Sequence, residues 1–339
     1  AGLLACLLQH APQGSRPVLI PAGDGQLRFL SRYRAQLADR FAFALPPNDM
    51  AEAMVDKRRQ HLLATAHGMP CPTTLFLAGE MATSARLDPV VFPAFLKPVH
   101  SHLWRAHFHS KGMLVSGPDD LARALARIAP RGLAVMLQQI ITGPATNHYE
   151  VCAYMGRDGT PLAVFTTQKI RQWPVDFGIG SLLQSVRMPD LERLTLDFLT
   201  AIDYRGAAAI EFKKDARSGA FLMIEVNGRL WSDYILAADC GLNFPAIAYR
   251  DLTGAAAQAR ADYPLGVRWL DGAADAWAAM TMARAGDLRL RDYLTSFAGT
   301  RSFAFLDLSD PLPFLAETAR FPRRLLTYLS RRRAGGRGN

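Results

Sequence analysis

The stretch FLMIEVNGRLW, residues 221–231, decides the predicted fold because it places charged and amide side chains inside an apolar run. Its density of apolar residues is typical of a buried β-strand. Side chains on one face of a strand recur at every second position. We therefore expect Glu225 and Asn227 on one face together with Phe221 and Met223, and the intervening aliphatic residues on the other.

A second glutamate, Glu211 in GAAAIEFKKD, precedes this strand by the length of a short hairpin. A three-residue loop over 217–219 would give Gly219 the left-handed conformation that such loops need. This register predicts Glu211 directly opposite Glu225, where two like charges repel. A fold accepts such a pair only with a counter-ion, or with one proton held between the two acids. A loop with an even number of residues would instead put the two glutamates on different faces.

Glu211, Glu225 and Asn227 together offer hard oxygen ligands, which suit a Mg²⁺ ion that keeps several waters and bridges phosphates. The alternative is a solvated sheet face with surface glutamates, and the apolar flanking residues argue against it. Phosphates also need cations. Lys97 ends the apolar run PAFLKP and Lys57 lies in VDKRRQHLL, although each lysine alone is typical of an ordinary surface position.

The composition suits one to three globular domains, since the chain has 339 residues of which 50% are hydrophobic. The net charge of +9 favours anionic ligands such as phosphates or carboxylates. The basic residues are scattered and accompany no recognition motif, so we expect no nucleic-acid partner. The four cysteines form no CxxC pair, and no apolar run reaches the roughly 18 residues of a membrane span. These features predict a cytoplasmic protein without a transmembrane segment.

Alternating strand and helix patterns predict a mixed α/β (α+β) protein. RPVLIPAGD, residues 16–24, predicts a buried strand. One helix is predicted over 49–68, with Asp49 as its N-cap and Gly68 as its stop. Because an open parallel sheet normally has another strand and helix before such a unit, and because residue 1 is not Met, the pattern predicts a truncated N-terminus.

Two further segments leave alternatives open. The loop after Lys97, VHSHLWRAHFHSKGM, carries His100, His102, His107 and His109, which favour a polar or pH-sensitive lid over a zinc site. The end of the chain, SRRRAGGRGN, predicts a disordered basic tail. The preceding FPRRLLTYLSRRR is amphipathic, so contact with a membrane surface is the alternative.

In their order along the chain, these motifs resemble the ATP-grasp superfamily. The matching segments are DK at 56–57 followed by HGMPCP, FPAFLKP, LQQIITG at 137–143, IEF around Glu211 and IEVNGR at 224–229. The stretches TTQKIRQWPVDFG and WSDYILAADCGLNFPAIAYRDL resemble the branch of predicted carboxylate–amine ligases, to which D-aspartate ligase-type enzymes are also similar.

The resemblance implies an ATP-grasp fold with a partial N-terminal Rossmann-like subdomain and a helical C-terminal extension. The implied domains are a partial pre-ATP-grasp α/β subdomain over 1–70, an ATP-grasp domain over 71–255, a helical extension over 256–329 and a basic disordered tail over 330–339. Within the ATP-grasp domain, 71–143 would be the ATP-binding subdomain and 144–255 the metal and substrate subdomain.

The resemblance also implies roles for individual residues. Lys57 and Lys97 would hold ATP phosphates, Gln138, Gln139, Ile140 and Ile141 would present backbone to the adenine, and Met223 would join the nucleotide-binding set. The predicted ligands of one or two Mg²⁺ ions, with Mn²⁺ as the alternative, are Glu211, Glu225 and Asn227. Arg229 would steady an acyl phosphate or a substrate carboxylate, and Lys169 and Arg171 would point toward the triphosphate or the acceptor.

The implied activity is ATP-dependent formation of an amide bond between a small carboxylic acid and an amine or amino acid, through an acyl phosphate. The protein's work in such chemistry is positioning and charge stabilisation, so no nucleophilic side chain is required. The loop after Lys97 has only one glycine, Gly112, where ATP-grasp enzymes often have a glycine-rich loop. One alternative is therefore a nucleotide-binding module without turnover. Another is an interaction protein tethered by its basic C-terminal end. A homodimer is compatible with all three.

Overall fold

The computed structural model describes residues 2–77, 90–100, 103–104, 106–108, 110–255 and 262–320. The chain divides into two compact units. The first comprises Ala1–Gln168 and Val186–Tyr263, and the second comprises Lys169–Ser185 and Pro264–Asn339. The predicted domain boundaries stay predictions. The predicted tail and the amphipathic segment before it, residues 321–339, lie outside the described residues.

The first unit begins with five helices: α1 Gly2–His10, α2 Asp24–Arg32, α3 Arg34–Leu37, α4 Asn48–Val55 and α5 Lys57–Ala66. The prediction of a single helix over 49–68 is wrong, because the helix is interrupted at Asp56. The Asp56 carboxylate accepts the N–H groups of Arg58 and Arg59 and so caps α5. Asp49 is not an N-cap but the second residue of α4, while Gly68 has the left-handed backbone expected of a helix stop, with φ 74°.

The predicted strand over 16–24 is reduced to a single parallel bridge between Val18 and Ala42. Two backbone bonds hold it, from Leu19 N–H to the Ala42 carbonyl and from Ala42 N–H to the Pro17 carbonyl. Local apolar composition predicts burial here, but a strand also needs neighbours to pair with along its length.

A small antiparallel sheet follows, built from β1 Thr74–Leu77, β2 Ala94–Pro98, β3 Met113–Val115 and β4 Val135–Gln139 in the order β1-β4-β2-β3. One face packs against α6, Pro118–Ile128, through an apolar cluster that includes Leu96, Leu121 and Leu137. Because side chains alternate along a strand, Lys97 and Gln138 lie on the opposite face.

The larger strands of the first unit are β5 His148–Met155, β6 Pro161–Trp173, β8 Gly206–Lys214 and β9 Phe221–Asn227, with the antiparallel order β6-β5-β8-β9. The helices α7 Pro189–Ala201, α8 Tyr234–Asp239 and α9 Phe244–Thr253 complete the unit. One face of these strands packs on the core, through Val151 of β5, Ile210 of β8 and Val226 of β9 together with α7 and the N-terminal helices.

The second unit includes the last residues of β6, most of β7 Ile179–Val186, and the short strands β10 Arg268–Leu270 and β11 Thr300–Phe303. β10 pairs antiparallel with β7 and parallel with β11. The helices α10 Gly272–Ala285 and α11 Leu290–Thr295, with a further helical stretch over 312–320, agree with the predicted helical extension. No helix among the described residues is long and apolar enough to cross a membrane.

Candidate active site

The hairpin of β8 and β9 carries the two predicted carboxylates, and its register contains a compensating irregularity. Lys214 pairs with Phe221 and the Asp215 N–H donates to the Ala220 carbonyl, so the loop has an even number of residues. The predicted three-residue loop is wrong, although Gly219 has the predicted positive φ, 73°.

A β-bulge in β9 shifts the register by one residue between the pair Phe212–Met223 and the pair Glu211–Glu225. The shift brings Glu211 opposite Glu225, as predicted. Between the loop and the bulge, each β9 side chain lies on the opposite face of the sheet from the one predicted. Met223 therefore packs in the apolar core and is 3% exposed. The expectation that Met223 shares a face with Glu225 is therefore wrong, and its place in the nucleotide-binding set stays a prediction.

A third carboxylate extends this pair into a row across three strands. In the pairing of β5 with β8, Glu150 lies directly opposite Glu211, and Glu211 lies opposite Glu225. Glu150 was missed by the sequence analysis. The alternation in HYEVCAYM shows a charge in an apolar strand, but only the observed order of strands reveals which carboxylate it neighbours.

Hydrogen bonds orient the predicted metal ligands. His148 Nε2 lies 2.8 Å from Glu211 Oε2, and Asn227 Nδ2 donates to Glu211 Oε1 at 3.4 Å. Arg229 Nη2 donates to Asn227 Oδ1 at 3.1 Å, and Arg229 Nε lies 3.3 Å from Asp24 Oδ1. These contacts join three predicted residues, Glu211, Asn227 and Arg229, into one connected group.

Lys57 forms an ion pair with Glu225. Its position follows from the cap at Asp56, because Lys57 is the first residue of α5. The buried Gln60 side chain fixes this helix against β9: its Nε2 donates to the Val226 carbonyl at 2.6 Å and its Oε1 accepts the Val226 N–H at 2.9 Å. Gln60 is a second residue that the sequence analysis missed.

Lys97 lies at the end of β2, and its Nζ donates to Gln138 Oε1 at 2.6 Å. Burial and the charge of Lys57 lower the pKa of Lys97 to about 8, while Glu225 and Glu211 act in the opposite direction. Lys97 therefore lies within electrostatic range of three other predicted groups, which are Lys57, Glu211 and Glu225.

The segment predicted to meet the adenine begins inside β4 and continues beyond it. The Gln138 side chain is buried and donates to Thr74 Oγ1 at 3.0 Å, and the Gln139 N–H donates to the Thr73 carbonyl at 2.9 Å. β4 ends at Gln139, so Ile140 and Ile141 lie past its ladder.

Lys169 and Arg171 belong to the second unit. Arg171 is 3% exposed, and its Nε and Nη2 each donate to one Asp275 oxygen at 2.8 Å, while Nη1 donates to Ser296 Oγ at 2.7 Å. The expectation that Arg171 points toward a triphosphate or acceptor is wrong, because its donors are engaged inside this unit. The role of Lys169 stays a prediction.

Gly228 has a packing reason in the NGR segment. A Cβ at this position would lie 2.9 Å from Met54 Cβ and 3.0 Å from the Tyr204 hydroxyl. Such contacts are shorter than real Cβ atoms tolerate, so α4 packs against a backbone that only glycine leaves open. The predicted histidine lid lies partly outside the described residues, and in its described part His100 Nε2 lies 3.9 Å from Asp56 Oδ2.

The donor set fits a hard cation. Two opposed carboxylates and an amide oxygen are ligands that Mg²⁺ accepts. Oxygens of Glu225 and Asn227 already face cationic groups, Lys57 and Arg229, which shows that positive charge is favourable at these atoms. Within the described residues no three His, Cys, Asp or Glu side chains are grouped to hold a metal by themselves. The remaining ligands would be Asn227, water and phosphate.

This architecture is the ATP-grasp fold, so solved structures confirm the predicted fold. Biotin carboxylase from Campylobacter jejuni matches with a TM-score of 0.60 and 18% identity, over 75% of this chain and 58% of that chain. An L-amino acid ligase from Bacillus licheniformis matches with a TM-score of 0.51 and 17% identity, over 68% of this chain and 54% of that chain.

Among proteins of known activity, the chain is similar to ATP-grasp carboxylate–amine ligases. It is 24% identical over 255 residues to D-aspartate ligase from Enterococcus faecium, which covers 72% of this chain and 60% of that enzyme. It is 28% identical over 179 residues to D-alanine–D-alanine ligase from Stutzerimonas stutzeri, covering 51% of this chain and 54% of that enzyme. The chain thus spans less than two thirds of these relatives, and no protein-family model matches it.

Proposed function

We propose that this chain is an ATP-dependent ligase that joins a carboxylate to an amine through an acyl phosphate, releasing ADP and phosphate. The observation that carries the proposal is the pairing of Glu211 with Glu225, with Asn227 bonded to Glu211 and the Lys57 ammonium bound to Glu225. Lys97, in electrostatic range of both carboxylates, adds the second cation that a polyphosphate needs.

The chemistry follows from the weakness of a carboxylate as an electrophile. Transfer of the γ-phosphoryl group to a carboxylate oxygen creates an acyl phosphate with a good leaving group. The amine nitrogen then forms the C–N bond, the C–O bond to phosphate breaks, and the amine loses a proton. In this scheme Lys57 and Lys97 bind phosphate oxygens and Arg229 steadies the acyl phosphate or the substrate carboxylate.

Mg²⁺, with Mn²⁺ as the alternative, would be held by Glu211, Glu225 and Asn227 and would neutralise developing charge on the phosphates. His148 and Asn227 hold the Glu211 carboxylate from two sides, which limits its rotation. Glu150, next in the carboxylate row, is a further candidate for this site. The backbone at Ile140 and Ile141 is proposed to meet the adenine.

The names of the relatives support an amino-acid substrate. Two are ligases of D-aspartate and of D-alanine, and a structural neighbour is an L-amino acid ligase. Another neighbour was solved with MgADP and a third with ADP, which supports the proposed nucleotide and metal. We therefore propose that at least one of the two substrates is an amino acid.

The test is ADP release by the purified chain with ATP and MgCl₂ over pairs drawn from D- and L-amino acids, small carboxylic acids and ammonia. We expect ADP to appear only when an acid and an amine are both present, with equal amounts of amide product by mass spectrometry. Tight ATP binding by calorimetry without turnover on any pair would favour the nucleotide-binding module instead. Absence of ATP binding would refute both.

The affinity for ATP should fall at high pH because the free protein loses the Lys97 charge there. With a pKa of about 8, Lys97 is mostly charged at pH 7 and mostly neutral at pH 9. If only the ammonium binds phosphate, the Kd for ATP rises about tenfold between these pH values.

Calorimetry or fluorescent-nucleotide titration measures this change. The matched control is Lys97→Arg, since a guanidinium stays charged throughout the range and should give a flat profile. Parallel profiles for the wild type and Lys97→Arg would contradict the assignment of Lys97 to the phosphates.

A further inference from the structure

The turn of the β8–β9 hairpin holds the segment that follows β4, and one buried carboxylate makes the principal bonds. Asp215 is 3% exposed. Its Oδ1 accepts the Thr142 N–H at 2.9 Å and the Thr142 hydroxyl at 2.5 Å. Its Oδ2 accepts the Ser218 N–H at 3.3 Å and the Ser218 hydroxyl at 3.0 Å. One side chain thus ties the turn to a segment about 70 residues earlier in the chain.

Further contacts run between the same two segments. The Ala216 N–H donates to the Thr142 carbonyl at 3.1 Å, and Arg217 Nη2 donates to the Ile140 carbonyl at 3.4 Å. Gly143 has φ 111°, and a Cβ there would lie 3.3 Å from Ala216 Cβ. The positive φ would strain any side chain at Gly143, and the short distance to Ala216 shows that the two segments are closely packed.

We propose that Asp215 is a positioning residue for the nucleotide. It directly follows the strand that carries Glu211, and it binds the backbone directly after Ile140 and Ile141. It thereby sets where the backbone proposed to meet the adenine stands relative to the carboxylates proposed to serve the phosphates. The inference rests on the proposed function, since it concerns the same nucleotide.

The chemistry of the turn requires a carboxylate rather than an amide. Asp215 accepts four hydrogen bonds, two of them from backbone N–H groups that cannot reverse their role, and Arg217 Nε lies 3.9 Å from its Oδ1. An asparagine has one acceptor oxygen and a donating NH₂ group, so either orientation leaves one N–H facing a donor. Bonds from Thr142 and Ser218 hold the pKa of Asp215 well below its usual range, so the group stays ionised.

The test is Asp215→Asn in the full chain, with ATP as the probe. We expect the Kd and KM for ATP to rise about 10- to 100-fold, as for loss of a hydrogen bond to a charged group. We expect kcat at saturating ATP to stay within about twofold and the KM of the acid and amine to be unchanged. Amide hydrogen exchange at 140–142 in the nucleotide-free protein should accelerate by a similar factor.

Tyr154→Phe is the matched control, because it removes a hydrogen bond between Tyr154 and Asp251 elsewhere in the same unit. We expect its KM for ATP to equal the wild-type value. If Asp215→Asn does not fold, Thr142→Val keeps the N–H and removes only the hydroxyl, with a smaller rise in Kd expected.

The outcomes separate the two proposals. A wild-type chain that fails to bind ATP would overturn the proposed function, while the exchange measurement would still test the tie between the segments. Wild-type binding together with unchanged Kd and unchanged exchange in Asp215→Asn and Thr142→Val would overturn the role of Asp215. An equal rise in KM for all substrates would also overturn it, since that is the effect of general destabilisation.

Discussion

Glu225→Gln is expected to reduce ATP-dependent amide formation by about 10²- to 10³-fold, while the protein remains folded. The change keeps the size of the side chain but removes the negative charge that opposes Glu211 and binds Lys57. Loss of one preorganised electrostatic group in a site of this kind typically has an effect of that size. The measurement is the steady-state rate at saturating ATP and MgCl₂, with circular dichroism and thermal melting to confirm folding.

Glu52→Gln is the matched control, since Glu52 pairs with Arg28 at the exposed surface of the same unit. The same chemical change there should leave the rate within about twofold, as expected for a surface ion pair. Full activity in Glu225→Gln would refute the metal assignment. Equal losses in both variants would show that the effect is not specific to the carboxylate row.

Asp275→Ala is expected to lower the free energy of unfolding by about 3–5 kcal/mol, because it leaves the Arg171 guanidinium buried without its counter-ion. Both side chains of the pair are almost fully buried, at 3% and 1% exposed. Asp275 also accepts the Ser181 hydroxyl at 3.1 Å, so a third donor loses its partner. Urea denaturation followed by tryptophan fluorescence, with Trp173 and Trp277 in the same unit, reports the change.

The double variant Arg171→Met with Asp275→Leu separates the value of the pair from the penalty of an orphaned charge. Replacing a buried ion pair by apolar groups of similar size is often nearly neutral, so the double variant should be more stable than Asp275→Ala. A loss below about 1 kcal/mol in Asp275→Ala would contradict the structural role assigned here to Arg171.

The pairing of Glu211 with Glu225 could be predicted from the sequence, but by a route that the structure corrects. The predicted combination was a three-residue loop followed by regular strand pairing. The observed one is a loop with an even number of residues followed by a bulge, and both place Glu211 opposite Glu225. The two routes differ only for residues between the loop and the bulge, and Met223 is one of them. A bulge has no clear signature in FLMIEVN, because its energy depends on packing against both faces of the finished sheet.

Glu150 and Arg171 show a second limit, which is the distance between partners along the chain. Glu150 and its cross-strand partner Glu211 are 61 positions apart in the sequence, and the ion-paired Arg171 and Asp275 are 104 positions apart. Periodicity places each residue on a face of its strand but does not say which strand lies alongside. The order of the motifs along the sequence was enough to predict the ATP-grasp fold. The partners of Glu150 and Arg171 could be identified only from the structure.

The two hydrogen bonds between the Gln60 side chain and the Val226 backbone affect how this chain can associate with other chains. β9 is the last strand in its sheet order, and an outer strand with open N–H and C=O groups invites a foreign strand to pair with it. Gln60 fills both groups of Val226, and the Pro70 carbonyl accepts the N–H of Met223 at 2.7 Å. The outer edge of β9 is thereby closed to strand addition along this stretch, so two copies that associate would not do so by pairing strands there.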